Sequence, residues 1–235
     1  IYYTNNKCQE RILLTCRKQL DRSRGTLLVT SVSQYPIPFG KNIVMDLESS
    51  ELSMFKQILR ALEETEADVV FHCEHDVLYH PSHFDFIPLR EDTYYFNTNV
   101  WSVNADDGQA LYYDGMKMTS GLVANRNILI EGYKRKISWV EKDGEFSRRR
   151  IGFEPGRRES SETRKDDYRW EIFQSEFPNV DIKHGDNITR KRFDLGEYRC
   201  RDRIKNSFLL EDAIPHWGVT KGKFENFLRD RYNGN

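Results

Sequence analysis

Val69-Val70-Phe71-His72-Cys73-Glu74-His75-Asp76-Val77 begins as a short apolar run and ends in two carboxylates spaced i, i+2. A run this short, following an amphipathic helical stretch, reads as a buried parallel strand. Residues two apart in an extended chain point to the same side. Glu74 and Asp76 are therefore expected to face one pocket. The carboxyl end of a strand is where open α/β sheets bind ligands. Two carboxylates held close repel, and a cation is the natural compensation. A hard, oxygen-liganded ion such as Mn²⁺ or Mg²⁺ suits them, with phosphates of a ligand completing its shell. The plainer alternative has both acids capping the next helix or standing in solvent. A third reading gathers His72, Cys73, His75, His80 and His83 with Asp76 into the zinc site of a hydrolase. Against it, His72 and His75 do not share a strand face, and Pro81 interrupts any helix joining His80 to His83.

Working upstream, residues 1–4 are β-branched and aromatic and predict a strand. Residues 7–20 place Ile12, Leu13, Cys16 and Leu20 at helical spacing. Strands are expected at 26–32 and 42–45, separated by a loop rigid with Pro36, Pro38 and Gly40. Ser49-Ser50 opens a helix over 51–66 whose apolar face carries Leu52, Phe55, Ile58, Leu59 and Leu62. The first half thus reads β-α-β-β-α-β, the pattern of an α/β fold with a mostly parallel central sheet flanked by helices. Downstream, 93–103 predicts a strand that 111–113 can pair with. Helices are expected at 121–133, 166–177 and 224–232, a strand at 180–183, and a long basic loop over 134–165. No repeat or linker divides the chain, so 1–235 is read as one domain.

The composition agrees. The 235 residues are 38% hydrophobic and 31% charged, long enough for one large domain with its own core. No apolar stretch approaches the length of a membrane span. Four cysteines without a C-x-x-C pair exclude a disulfide framework and a structural zinc knuckle, and fit a reducing, cytoplasmic compartment. Net charge is −1, yet basic residues crowd the second half, from Lys134-Arg135-Lys136 through Arg148-Arg149-Arg150 to Arg199, Arg201 and Arg203. Interleaved acids make a solvated, salt-bridged surface one reading. An anionic partner, whether a diphosphate, an acidic glycan or a nucleic acid, is the other.

The Glu74-His75-Asp76 strand end, following an amphipathic helix and an opening strand that runs into Tyr3-Thr4-Asn5-Asn6, resembles the GT-A glycosyltransferases. Their acidic D-x-D motif holds the metal that binds a nucleotide diphosphate, and Glu in the first place is a departure from it. The continuation Val77-Leu78-Tyr79-His80-Pro81-Ser82-His83-Phe84 is similar to a group of microbial and viral glycosyltransferase-like proteins. Phe153-Glu154-Pro155-Gly156, Asp181-Ile182-Lys183-His184 and Ile214-Pro215-His216-Trp217-Gly218 extend the similarity. The resemblance implies a UDP-type sugar donor cradled by Thr4, Asn5 and Asn6, in a donor half at 1–105. It implies an acceptor half at 106–235. A carboxy-terminal histidine, His184 ahead of His216, would join Glu74 and Asp76 on the metal.

An inverting member also needs a general base. Asp167, following Asp166 at an expected helix start, matches the family's placement, and Glu154 is the other candidate. Arg157 and Arg158 are expected to close over the phosphates. Tyr94, Tyr95, Phe96, Trp101, Tyr112 and Tyr113 gather where acceptor contacts are built, with Trp101 and Trp217 the foremost stacking candidates. The acceptor is a glycan or another hydroxyl compound, and a hydroxylated base in DNA is an alternative. Two other classes compete: a nucleic-acid-binding module and a catalytically silent sugar-binding relative.

Overall fold

A computed structural model describes residues 1–156 and 168–234. From the amino terminus, β1 (Tyr2–Tyr3) leads into α1 (Glu10–Ser23), then β2 (Thr30–Ser33), β3 (Lys41–Val44) and α2 (Glu51–Glu64). Three short strands follow in quick succession: β4 (Val69–Phe71), β5 (Cys73–Glu74) and β6 (Val77–Leu78). β7 (Thr93–Asn97), β8 (Val100–Asn104), β9 (Ala110–Tyr112) and β10 (Leu122–Asn125) precede α3 (Arg126–Asp143). β11 (Arg169–Phe173), β12 (Asn179–Lys183), the single turn α4 (Arg201–Ile204), β13 (Leu209–Glu211), β14 (Ala213–Ile214), β15 (Gly218–Val219) and α5 (Phe224–Asn233) complete the chain.

The first sheet, in the order β3-β2-β1-β5, is wholly parallel. The second, β11-β7-β10-β4, runs β10 antiparallel to both its neighbours. The third, β13-β9-β8-β12-β6, has β8 and β12 as its parallel pair. The α/β class predicted from the sequence holds. The sheet structure is mixed rather than mostly parallel, because the short connection from β8 to β9 can only make an antiparallel pair. The segment 69–78 pairs in turn with β10, β1 and β12 and so ties these three sheets together, apart from the small β14-β15 hairpin.

Successive side chains of a strand face opposite ways, and β1 shows what this does to the layers. Tyr3 packs with Phe55, Ile58 and Leu62 of α2 and with Leu129 and Tyr133 of α3. Tyr2 joins Leu20 of α1, with Ile37 and Phe39 of the proline-bearing loop. α1 and α5 close the third sheet through Ile12, Phe224, Phe227 and Leu228, packed on Trp101, Val180 and Ile182. Ser50 caps α2 by accepting the Ser53 amide at 3.1 Å, a contact worth about 1 kcal/mol.

Several expected elements differ. The strand expected over 93–103 breaks where Asn97 Oδ1 accepts the Asn99 amide, and its two halves enter different sheets. Residues 122–125 are strand, not helix. Asn125 caps α3 by accepting the Asn127 amide, and the helix then runs on to Gly144, at φ 77°. The helix expected over 166–177 is strand at Arg169–Phe173, paired residue by residue with β7. There the β-preference of Trp170, Ile172 and Phe173, realised by pairing, overrides the acids that suggested a helix start. Leu111 does pair with β8 as expected.

The segment after α3 is anchored by one cation. Lys136 is 2% exposed, and its Nζ donates to the carbonyls of Ile151 at 2.9 Å and Gly152 at 3.1 Å. Phe153 and Glu154 follow directly. Lys136→Met removes this donor from two buried carbonyls, a loss of about 1–3 kcal/mol per unsatisfied group. The expected fall in thermal midpoint is about 2–4 °C for each kcal/mol. Calorimetry that finds an unchanged midpoint contradicts this anchoring.

Candidate active site

The parallel sheet delivers three strand ends to one edge. β1 continues into Thr4, whose amide donates to Val32 at 3.0 Å and whose carbonyl accepts Gln57 Nε2 at 3.1 Å. Asn5 donates to Ser49 Oγ at 2.9 Å. β2 ends beside Gln34, and β5 ends at Glu74. All of these residues except Ser33 and Val32 line a cleft of about 240 Å³. Asn6 lies outside the cleft lining. Its left-handed backbone, at φ 57°, turns the Oδ1 to accept the amides of Gln34 and Tyr35, which fixes the end of β2. Of the three residues expected to cradle a nucleotide, Thr4 and Asn5 line the cleft and Asn6 shapes it.

Glu74 and Asp76 both line the cleft, but not as successive same-side residues of one strand. β5 stops at Glu74, and His75-Asp76 form the turn into β6. β12 then runs antiparallel to β6, with Asp181 opposite Val77, and the Ile182 amide donates to the Asp76 carbonyl at 2.9 Å. This register brings Asp181, Lys183 and His184 to the acidic pair. Asp76 Oδ2 accepts Asn187 Nδ2 at 2.5 Å and lies 3.5 Å from His184 Nε2. Asn187 Oδ1 accepts the His184 amide at 2.6 Å. Lys183 Nζ pairs with Asp181 Oδ2 at 2.5 Å. Glu74 Oε1 accepts the Tyr3 hydroxyl at 2.6 Å.

Several polar groups of the site are left without a partner among the described residues. Asp76 Oδ1, Asp181 Oδ1, His75 Nε2 and His184 Nε2 are buried without a hydrogen-bond partner among the described residues. Buried polar atoms are nearly always satisfied, so four such atoms in one place call for an explanation. Burial, then the neighbouring Asp76, push Glu74 up to about 8. Burial also raises Asp181. Burial works against Asp76 ionising too, but His75, His184 and Lys183 outweigh it and hold that carboxyl below its usual range. Lys183 is shifted upward: burial opposes its charge, and Asp181 and Asp76 overcome that opposition. Burial keeps His75 below its ordinary value, in the neutral form that ligates metals.

The remaining candidates separate clearly. His184, at 2% exposure, belongs to the site. His216 does not: it is exposed at the far end of β12, with its ring 4.5 Å from His80 and 4.4 Å from Phe177. Glu154 lines the cleft at 8% exposure. Asp167, Arg157 and Arg158 lie outside the described residues, and the helix whose start was to present Asp167 is absent from 169–173. Among the described residues, Lys117, Arg148, Arg190, Arg192 and Arg203 are the basic residues that line the cleft. Trp101 is core, stacked on Tyr112 at 5.3 Å, and Trp217 is buried with its Nε1 donating to the Pro178 carbonyl at 2.7 Å. Tyr94, Tyr95 and Phe96 are buried in β7, which leaves Tyr113 as the member of that aromatic group that lines the cleft.

The zinc cluster imagined from local spacing also disperses. His72 stacks on Tyr133 at 5.6 Å, His83 meets Asn97, and His80 bonds Ser82. Asp181 and Lys183, two apart on β12, share a strand face, a spacing from which their place in the site could have been read. All four cysteines are free thiols. No helix among the described residues is long and apolar enough to cross a membrane. The chain matches no protein-family model, and no curated protein matches it either.

Glu74 gives the site a pH signature. Its folded value of about 8 stands above the ordinary 4.5. Between those values the folded state keeps a proton that the unfolded chain has lost, so stability falls as pH rises through that window. In metal-free protein, Glu74→Gln should raise the thermal midpoint at pH 8, and the gain should vanish near pH 4. A lower midpoint at pH 8 contradicts the assignment.

Proposed function

We propose that the protein is a metal-dependent glycosyltransferase that moves a sugar from a nucleoside-diphosphate donor, UDP-linked, to an acceptor hydroxyl. One observation carries the proposal. The unsatisfied Asp76 Oδ1 and His184 Nε2 are buried together at the carboxyl edge of a parallel sheet, and Asp76 lines a cleft that Lys117, Arg148, Arg190, Arg192 and Arg203 also line. An acidic, cation-seeking floor beside a wall of Lys and Arg suits a ligand that brings both a divalent ion and phosphates. Asp76 and His184, with Glu74 beside them, would hold the ion. Mn²⁺, which accepts imidazole, fits these donors better than Mg²⁺. Bound there, the ion would offset charge developing on the leaving diphosphate.

The chain's own groups supply the rest. Thr4 and Asn5 stand where the nucleoside enters, and Arg190, Arg192 and Arg203 face the phosphates. In an inverting reaction, Glu154 takes the proton of the acceptor hydroxyl. Tyr113 offers a ring face against which an acceptor sugar can stack. The free thiols support a reducing, cytoplasmic setting.

Calorimetric titration of UDP with and without Mn²⁺ tests the donor site. Binding should require the ion and should weaken at least about 100-fold, roughly 2.7 kcal/mol, in Asp76→Asn. Failure of UDP, GDP, CMP and dTDP alike to bind overturns the proposal. Glu154→Gln should keep nucleotide affinity and lose about 10²–10⁴-fold in turnover. A Glu154→Gln enzyme with undiminished turnover removes Glu154 from the base role.

A further inference from the structure

The ion expected from the acidic pair is a hard one, yet the donors gathered around Asp76 are not all hard. Cys8 sits in the turn between β1 and α1, far in sequence from the other site residues. One ligand atom each from Cys8, His75 and His184 lie within 4.8 Å of one another. The two imidazoles are 6.0 Å apart between centroids and tilted by 59°, so they converge without stacking. His75 is held by the main chain of Tyr3, and its Nε2 is buried without a partner. A histidine fixed at one ring nitrogen and unsatisfied at the other has the arrangement that outer-shell contacts give to metal ligands. His184 Nε2 is likewise unsatisfied, and its side chain is 1% exposed. Ligation through that atom puts the ring proton on Nδ1, which faces the Asp186 carboxylate at 4.0 Å. In exchange, the weak 3.3 Å contact from the Asp186 amide to Nδ1 is given up. Asp76 stands beside this group, its Oδ2 3.5 Å from His184 Nε2, without belonging to the three converging ligand atoms.

We propose that Cys8, His75 and His184, with Asp76 beside them, form a single mixed thiolate and imidazole site that takes a thiophilic divalent ion, Zn²⁺ or Co²⁺, in preference to Mg²⁺. His184 and Asp76 are shared with the donor cleft, so the site holds one ion rather than two. The inference rests on the proposed function for what the ion does, not for its binding. Thiolate and imidazole donors select zinc-like ions, and three such donors leave the fourth tetrahedral position open to water or to Asp76. On binding, the Cys8 thiol gives its proton to solvent and its sulfur lone pair to the ion. Neither the Glu74-x-Asp76 spacing nor the local histidines contain this grouping. It exists because β12 lies against β6 and the turn after β1 reaches beneath them.

Co²⁺ titrated into metal-free protein reads the site directly. One equivalent should produce visible bands of a four-coordinate ion and a near-ultraviolet sulfur-to-cobalt charge-transfer band. Zn²⁺ at one equivalent should abolish both, and Mg²⁺ in large excess should not. Cys8→Ser, with its fold checked by circular dichroism, should lose the sulfur band. It should also weaken Zn²⁺ by more than the roughly 10–100-fold that loss of an outer-shell partner costs. No sulfur band in the wild type, a band that survives Cys8→Ser, or ready displacement by Mg²⁺ overturns the inference. The two readings fail separately. Nucleotide binding with Mn²⁺ but no sulfur band removes the thiolate site alone, whereas a sulfur band with no nucleotide binding removes the transferase alone.

Discussion

Taking Asp76 and Asp181 out of water beside the half-buried Glu74, with Lys183 paired to Asp181, works against folding. The effective penalty for a buried ion is several kcal/mol even after relaxation. The structure meets part of it with hydrogen bonds: Tyr3 on Glu74, Asn187 on Asp76, Lys183 on Asp181. The oxygens and ring nitrogens left unsatisfied are the part that a bound cation would meet. Structural elements retained in spite of such a cost are most simply understood as a site, because an apolar core of the same volume would be at least as stable.

The same segment that creates the charge problem also organises the fold. Residues 69–78 belong to three sheets in ten residues. Each change of sheet requires the chain to bend, and the sharpest bend, His75-Asp76, falls where the carboxylates are. A turn held on one side by β1 and on the other by β12 presents its side chains with little freedom, which favours a preorganised site. α2 and α3 support it from one face, and α1 and α5 from the other. The cleft draws on both the amino-terminal and the carboxy-terminal parts of the chain, and the loop after β12 contributes Asn187, Arg190 and Arg192.

What was legible in the sequence followed from periodicity. α2 shows its buried face at 3.6-residue spacing, and the acids beyond the apolar run 69–71 drew attention to the cleft, although that run is an antiparallel edge strand rather than the buried parallel one expected. The helix expected over 166–177 failed because pairing with β7 is a long-range contact that local propensity does not contain. The same limit hid Cys8, Asn187 and the partnership of Asp181 with Asp76, since β6 and β12 lie about a hundred residues apart in the chain. The resemblance put His184 ahead of His216, and the structure sets His184 beside Asp76 and His216 beside Phe177 at the other end of β12.

Anomalous diffraction from crystals grown with a divalent transition metal bears most directly on the central claim that these buried groups exist to hold one ion. The account predicts a single strong peak in the cleft, about 2.0–2.2 Å from an Asp76 oxygen and from His184 Nε2. A cleft without a peak, or an ion found only on exposed carboxylates elsewhere, would contradict it.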